Sequence, residues 1–430
     1  MPIKSYKFWP FLLILFVLSG VVFNFLLSNS SISDNQEIEN YNSNIPHQSA
    51  TTLLWNFTTG DDINSVSISS DGNYIVAGSD DNNTYLFNKT SSTSKTPMWN
   101  HTAGNEVNSV AISSEINYIV SGSNDNHVYL FNKSISTPSW NYSMGDNALT
   151  VKISNDGNYI VAGSNDKISF LKNSSSTPLW NYTVGDIIYS VAISYDGNYI
   201  VAGSGDNKVY RFYKSSNDTI GYQVGDDVRT VDISADGDYI VAGSDNDEIY
   251  LFYKSDLLPE WSYKTGGNVT SVAISADGRY IVAGSTDNKT YILNVVNEKL
   301  VWTYECGDVI NSVAISSTGK HILIGSNDNK TYLFDVLSSR PLWSYEAEGG
   351  ITAVAISSGG NYLAVGSEDD QVYMFHWTPI VVEEDDDDDL YIDFGESSIP
   401  FGNYYLLFVL LAIISLVSFY KGKLHYKTKN

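Results

Sequence analysis

The sequence predicts an all-β protein: a single eight-bladed β-propeller of four-stranded antiparallel blades, its first strand closing the last blade, with terminal transmembrane helices. Three observations carry this. The string Tyr-Ile-Val-Ala-Gly-Ser recurs unchanged at residues 74–79, 159–164, 199–204, 239–244 and 280–285, with variants at 118–123, 321–326 and 362–367. The glycines of these strings, Gly78, Gly122, Gly163, Gly203, Gly243, Gly284, Gly325 and Gly366, are spaced 40 to 44 residues apart, the period of a propeller blade. Two long apolar runs flank the repeats.

The first run, Phe8 to Leu27, follows Lys4 and Lys7 and is long enough as a helix to cross a bilayer core of roughly 30 Å. A cleavable signal has a shorter apolar core and a small-x-small site. Here the one candidate site lies around Ser28 to Ser31, so residues 1–28 read as an uncleaved anchor, with a signal peptide as the alternative. Residues 29–52, rich in Asn and Ser, form a flexible tether before the propeller at 53–379. Residues 380–402 are an acidic linker, in which the like charges of Glu383 to Asp389 resist compaction.

The second apolar run occupies 403–420, with Tyr404, Tyr405 and Tyr420 at its ends, and a basic tail at 421–430 carries Lys421, Lys423, Lys427 and Lys429. Basic flanks stay on the cytoplasmic side, so both termini point inward and the ring is placed on the extracytoplasmic side of the cell membrane. Thirteen Asn-x-Ser/Thr sequons, among them Asn56, Asn100, Asn141, Asn181, Asn268 and Asn329, lie on that outer part and could accept glycans.

Each repeat holds four short runs of β-branched and aromatic residues, such as Leu179 to Val184, Ile188 to Ser194, Tyr199 to Ser204 and Lys208 to Tyr213. Pairs such as Asp71-Gly72, Asp156-Gly157 and Asp277-Gly278 supply the positive φ that tight hairpins need. Ordered as strands d, a, b and c, the d strand carries Trp55, Trp99, Trp140, Trp180, Trp261, Trp302 or Trp343, and Tyr222 is expected in that place in the fifth unit. The chain enters on a d strand near Leu53 to Phe57 and leaves on a c strand near Gln371 to Phe375, so the first strand can complete the last blade and cover its edge.

A net charge of −25, from 24 basic and 49 acidic residues, argues against a nucleic-acid partner. One cysteine, Cys306, excludes a disulfide framework. Six scattered histidines lack zinc-ligand spacing, and no nucleophile elbow, phosphate loop or dinucleotide fingerprint appears, so no catalytic, cofactor-binding or metal residue is assigned.

Carboxylates are the more informative group, because the d-to-a and b-to-c loops emerge at one end of the ring. That end gathers Asp61, Asp146, Asp186, Asp226 and Asp308 on d-to-a loops, and Asp81, Asp125, Asp166, Asp206, Asp287, Asp328 and Asp369 on b-to-c loops, as a candidate acidic binding face. The opposite end balances Asp71, Asp156, Asp196 and Asp277 against Lys89, Lys133, Lys172, Lys214, Lys254, Lys299 and Arg340. Asp and Asn also favour hairpin turns for backbone reasons, so these carboxylates have a purely architectural reading as well. No cofactor is expected; weak Ca2+ binding by the clustered side-chain oxygens is the exception considered, although no Asp-x-Asp-x-Asp-Gly loop occurs.

The block Ser-x-Asp-Gly-x-Tyr-Ile-Val-Ala-Gly-Ser-x-Asp resembles strands a to c of a WD repeat, over about residues 51 to 379. Gly60-Asp61, Gly185-Asp186 and Gly307-Asp308 stand where that family has Gly-His, and Phe334-Asp335 is the nearest approach to its Trp-Asp ending. Trp after a Pro-containing loop, as in Pro178-Leu179-Trp180, is similar to the tryptophan docking of quinoprotein-like (PQQ-like) blades. That resemblance implies the fold. The adjacent-cysteine disulfide common in quinoprotein dehydrogenases cannot form with Cys306 alone, so it gives redox chemistry little support. The expected role is therefore a non-catalytic, integral membrane scaffold with protein partners and no small-molecule substrate. A propeller enzyme and an envelope or surface assembly factor are the alternatives.

Overall fold

The computed structural model describes residues 50–90, 96–114, 117–255 and 258–378. Among the described residues thirty-two strands, β1 to β32 in chain order, form eight four-stranded antiparallel sheets. Blade I shows the pattern: β2 (Ile63–Ile68), β3 (Tyr74–Ser79), β4 (Asn83–Asn88) and β5 (Trp99–Thr102), hydrogen-bonded in that order. Blades II to VII repeat it. Blade VIII comprises β30 (Ile351–Ile356), β31 (Tyr362–Ser367), β32 (Gln371–Thr378) and, from the other end of the ring, β1 (Ala50–Thr58). The closing pair runs antiparallel from Ala50 opposite Thr378 to Thr58 opposite Gln371, as the chain ends predict. β1 takes in Ala50, Thr51 and Thr52, residues whose composition groups them with the tether.

The expected terminal membrane helices, acidic linker and basic tail, and residues 29–49 of the expected tether, lie outside the described residues. Among the described residues no helix is long and apolar enough to cross a membrane.

Blades pack through strands b and c, whose side chains are almost wholly buried. The strand-b glycine lets the next blade approach. A Cβ on Gly284 would stand 2.4 Å from Ile310 Cγ2, and on Gly366 2.4 Å from Ile63 Cγ2, so any larger residue collides with the neighbouring innermost strand. In the a-to-b turn, Gly72 has φ +69°, and a Cβ there would enter the ring of Tyr362 on blade VIII.

The tryptophans clamp consecutive blades. Trp99 Nε1 donates to the Lys133 carbonyl (2.8 Å), Trp140 to Asn173 (2.8 Å) and Trp302 to Val336 (2.8 Å), each on the next blade. Lysines add cation–π contacts between blades: the Lys133 ammonium lies 5.0 Å from the Tyr74 ring centroid, and that of Lys214 5.1 Å from Tyr159.

One expectation is corrected. Tyr222 does not take the tryptophan's place. Ile220 pairs with Arg211, as Trp261 pairs with Leu251, whereas Tyr222 pairs with Val209. The intervening glycine, Gly221, pairs with Tyr210 as Asn181 pairs with Ser169. Arg211, 2% exposed, thus fills space that an indole and a leucine share in other blades.

Gly284→Ala should cost about 1–3 kcal/mol through overpacking. Gly185→Ala, whose Cβ would meet Asp206 at an ordinary 3.5 Å, should stay within about 0.5 kcal/mol of the parent. Urea unfolding of the two variants checks this, and equal losses would contradict the account of blade spacing.

Candidate functional site

The structure divides the twelve predicted carboxylates into two groups. Those on the b-to-c turns are mostly engaged in holding the blades together. Asp125 Oδ2 accepts from the Gly104 amide (2.7 Å) and the Tyr129 hydroxyl (2.6 Å), pinning the incoming d-to-a loop to the blade's own strand c. Asp328 repeats this with Gly307 (2.7 Å) and Tyr332 (2.7 Å), and Asp369 with Glu348 (2.9 Å) and Tyr373 (2.7 Å). Asp81 takes Gly60 and Tyr85, and Asp287 takes Gly266 and Tyr291. Asp206 accepts from Tyr210.

Two blades modify the latch. Blade V has Asn246, which donates to Tyr250 instead. Blade III has Ser169 where the tyrosine would stand, and its shortened turn leaves Asp166 exposed.

Electrostatics follow from these contacts. Burial alone would raise the carboxyls of Asp81 and Asp125, but hydrogen bonds from tyrosine and backbone hold both below the usual carboxylate range. Burial and the adjacent carboxylate push the Tyr85 and Tyr129 hydroxyls well above their ordinary value.

The d-to-a group is freer. Asp61, Asp146, Asp186, Asp226 and Asp308 each accept from the following amide, at 2.7 to 3.0 Å, Asp146 also accepts from Asn165 and Asp308 from Asn327 (3.5 Å), and Asp186 and Asp226 are exposed. At the closure of blades VIII and I the face becomes most acidic. Burial, then Asp61, Asp370, Glu368 and Asp80, raise the Asp62 carboxyl. Ligand oxygens of Asp61, Asp62 and Asp370 lie within 4.8 Å of one another, the one such group among the described residues. With one oxygen from each, the three carboxylates supply three of the six to eight oxygens that calcium takes. Cys306, the lone thiol, is buried, and that burial with Asp328 nearby pushes it up to about 12.

A second set of residues escaped the sequence reading. In register on the innermost strands, opposite the second aliphatic of each strand b, stand Ser67, Ala111, Lys152, Ala192, Asp232, Ala273, Ala314 and Ala355. Two charges interrupt a column of small residues. Three positions earlier, blades III to V carry Leu149, Tyr189 and Arg229, where the other five have Asn or Thr. The Arg229 guanidinium lies over the Tyr189 ring at 4.2 Å and pairs with Asp245 (2.7 Å) and Asp227 (3.3 Å). Aligning the eight repeats column by column would have exposed these departures. A search for motif spacing does not, because the residues come from separate blades.

The latches make stability depend on pH at both extremes. Depressed carboxyls contribute stability that is present above about pH 4 and lost as pH falls through their folded values. The raised tyrosines contribute stability that is present below about pH 10 and lost as pH climbs. Thermal unfolding across pH should fall off on both limbs, and Tyr85→Phe with Tyr129→Phe should flatten both; unchanged limbs would contradict the latch.

Comparisons agree with this architecture. A family model described as outer membrane protein assembly factor BamB matches residues 164–377. A model described as WD domain, G-beta repeat matches residues 51–88 and 94–132. No curated protein matches. Among solved structures, the computationally designed Ika8 protein is similar in fold, with a TM-score of 0.65 at 16% identity, covering 75% of this chain and 99% of that one. With the repeat, the ring closure and both family models in agreement, the chain belongs to the WD-repeat and PQQ-like β-propeller family.

Proposed function

We propose that the protein is a membrane-anchored, extracytoplasmic and non-catalytic docking module whose acidic end receives a basic surface of a protein partner. The carrying observation is the crowding of Asp61, Asp62, Asp80, Glu368 and Asp370, which raises the Asp62 carboxyl and is relieved when a cation or ammonium group arrives. The latched aspartates set the frame, while the d-to-a carboxylates offer free oxygens. Calcium at Asp61, Asp62 and Asp370 would be weakly held and largely hydrated. The buried, protonated Cys306 supports a role without covalent chemistry. The match to a model named for an assembly factor favours a partner that is itself being assembled in an envelope.

Two measurements test this. Carbodiimide coupling in native membranes should join the ring to a lysine-bearing partner. Replacing Asp61, Asp62 and Asp370 with Asn should remove that adduct without lowering Tm, and an adduct that persists unchanged contradicts acidic docking. Protease added to intact cells should digest the ring; resistance until lysis reverses the topology.

A further inference from the structure

The chemistry that the acidic face does not use lies in the central channel. Lys152 is exposed although it sits inside β10 (Thr150–Ile153), an innermost strand flanked by those of blades II and IV. A side chain there can reach solvent only through the lumen. Asp232 occupies the same register level on β18 (Val228–Ile233), two blades away, with Ala192 between them. Burial raises its carboxyl, and the Lys152 ammonium opposes that rise, an interaction that has to cross the lumen because the residues are on non-adjacent blades. Asp232 accepts from the Ile233 and Ile274 amides, both at 2.9 Å, which uses two of about four lone-pair positions and leaves the rest available. Lys152 forms no ion pair among the described residues.

Below this level one side chain spans the channel. Tyr195, on blade IV, reaches Ser317 on blade VII, with 3.4 Å between their hydroxyls. The a-to-b mouth is held by backbone bonds from blade to blade, among them Asn155 N to Tyr195 O (3.2 Å) and Tyr195 N to Ala235 O (3.1 Å). Around Tyr195 and Ser317 lies a cavity of about 210 Å³, lined by isoleucines that include Ile153 and Ile193 and by the polar side chains of Ser114, Asn155 and Ser358.

We propose that the channel binds a free α-amino acid, its carboxylate on Lys152 and its ammonium on Asp232. Two opposite charges at one level in an otherwise Ala and Ser column match a ligand whose own charges share one carbon. A simple anion or cation would leave one of them unanswered. This site is separate from acidic docking and stands if docking fails.

The full chain in detergent is titrated calorimetrically with the proteinogenic amino acids, one at a time. At least one should bind saturably with a Kd near or below about 1 mM. Its N-acetyl and α-amide forms, each lacking one charge, should bind at least about tenfold more weakly. Lys152→Ala restores the residue found in five other blades, and Asp232→Asn keeps an acceptor for the Ile274 amide, so both should unfold near the parent Tm while losing the ligand. No saturable binding by any amino acid, or equal binding by capped forms, overturns the proposal. Undiminished binding by the two folded variants does so as well. If either variant fails to fold, the capped ligands on the parent protein decide alone.

Discussion

The close approach between the strand-b glycine of one blade and the innermost strand of the next sets the dimensions of the ring. With a Cβ-to-methyl distance of 2.4 Å at Gly284 and Gly366, even one added carbon spreads the blades. Because eight such contacts must close on themselves, spreading at one seam is felt at the joint between β1 and β32. The lumen inherits its width from the same contact. Buried serines at the ends of strand b then carry the constraint outward: Ser79, Ser204 and Ser326, all fully buried, each bond the carbonyl of an aspartate on the d-to-a loop.

This explains why repeated carboxylates are ambiguous evidence of function. Asp125 and Asp328 recur because every blade has the same loop to hold, and the tyrosine four residues on recurs with them. Blade III shows the dependence. With Ser169 in place of the tyrosine and a shorter turn, Asp166 has no such bond and turns outward. A latch that serves stability recurs in most repeats, whereas a ligand bound at one place needs only one or a few blades to differ. Surface charge on the d-to-a loops, less tied to the frame, is the part of the acidic end that can respond to a partner.

How much was legible in the sequence follows from the same distinction. The blade number, strand order and ring closure were readable because period, turn glycines and chain ends are local signals that repeat. The division of aspartates between latch and free rim was not, since it depends on which oxygen faces a tyrosine on the adjoining strand. The replacement of tryptophan by Ile220 rather than Tyr222 was hidden by register: spacing from the Val-Gly-Asp that follows places Ile220 in the Trp180 column, but aromatic character draws the eye to Tyr222. Lys152 and Asp232, 80 residues apart, share one level of the lumen only because the chain turns two blades between them.

Departures from the repeat converge on one sector, and that convergence is itself a physical argument. Blades III to V hold Ser169, Tyr189, Tyr195, Arg211, Ile220, Arg229 and Asp232, as well as Lys152. Arg211 is costly there. Its Nε and Nη1 find no hydrogen-bond acceptor among the described residues, and its guanidinium rests on the Tyr213 ring at 4.6 Å. A leucine and a tryptophan, as in blade V, would fill that seam without an unpaired buried cation, which ordinarily costs more than the packing it replaces. In blade IV the indole clamp to the next blade is also missing, and on blade V Trp261 Nε1 finds no acceptor among the described residues, so both boundaries lack a tie that Trp99, Trp140 and Trp302 supply elsewhere.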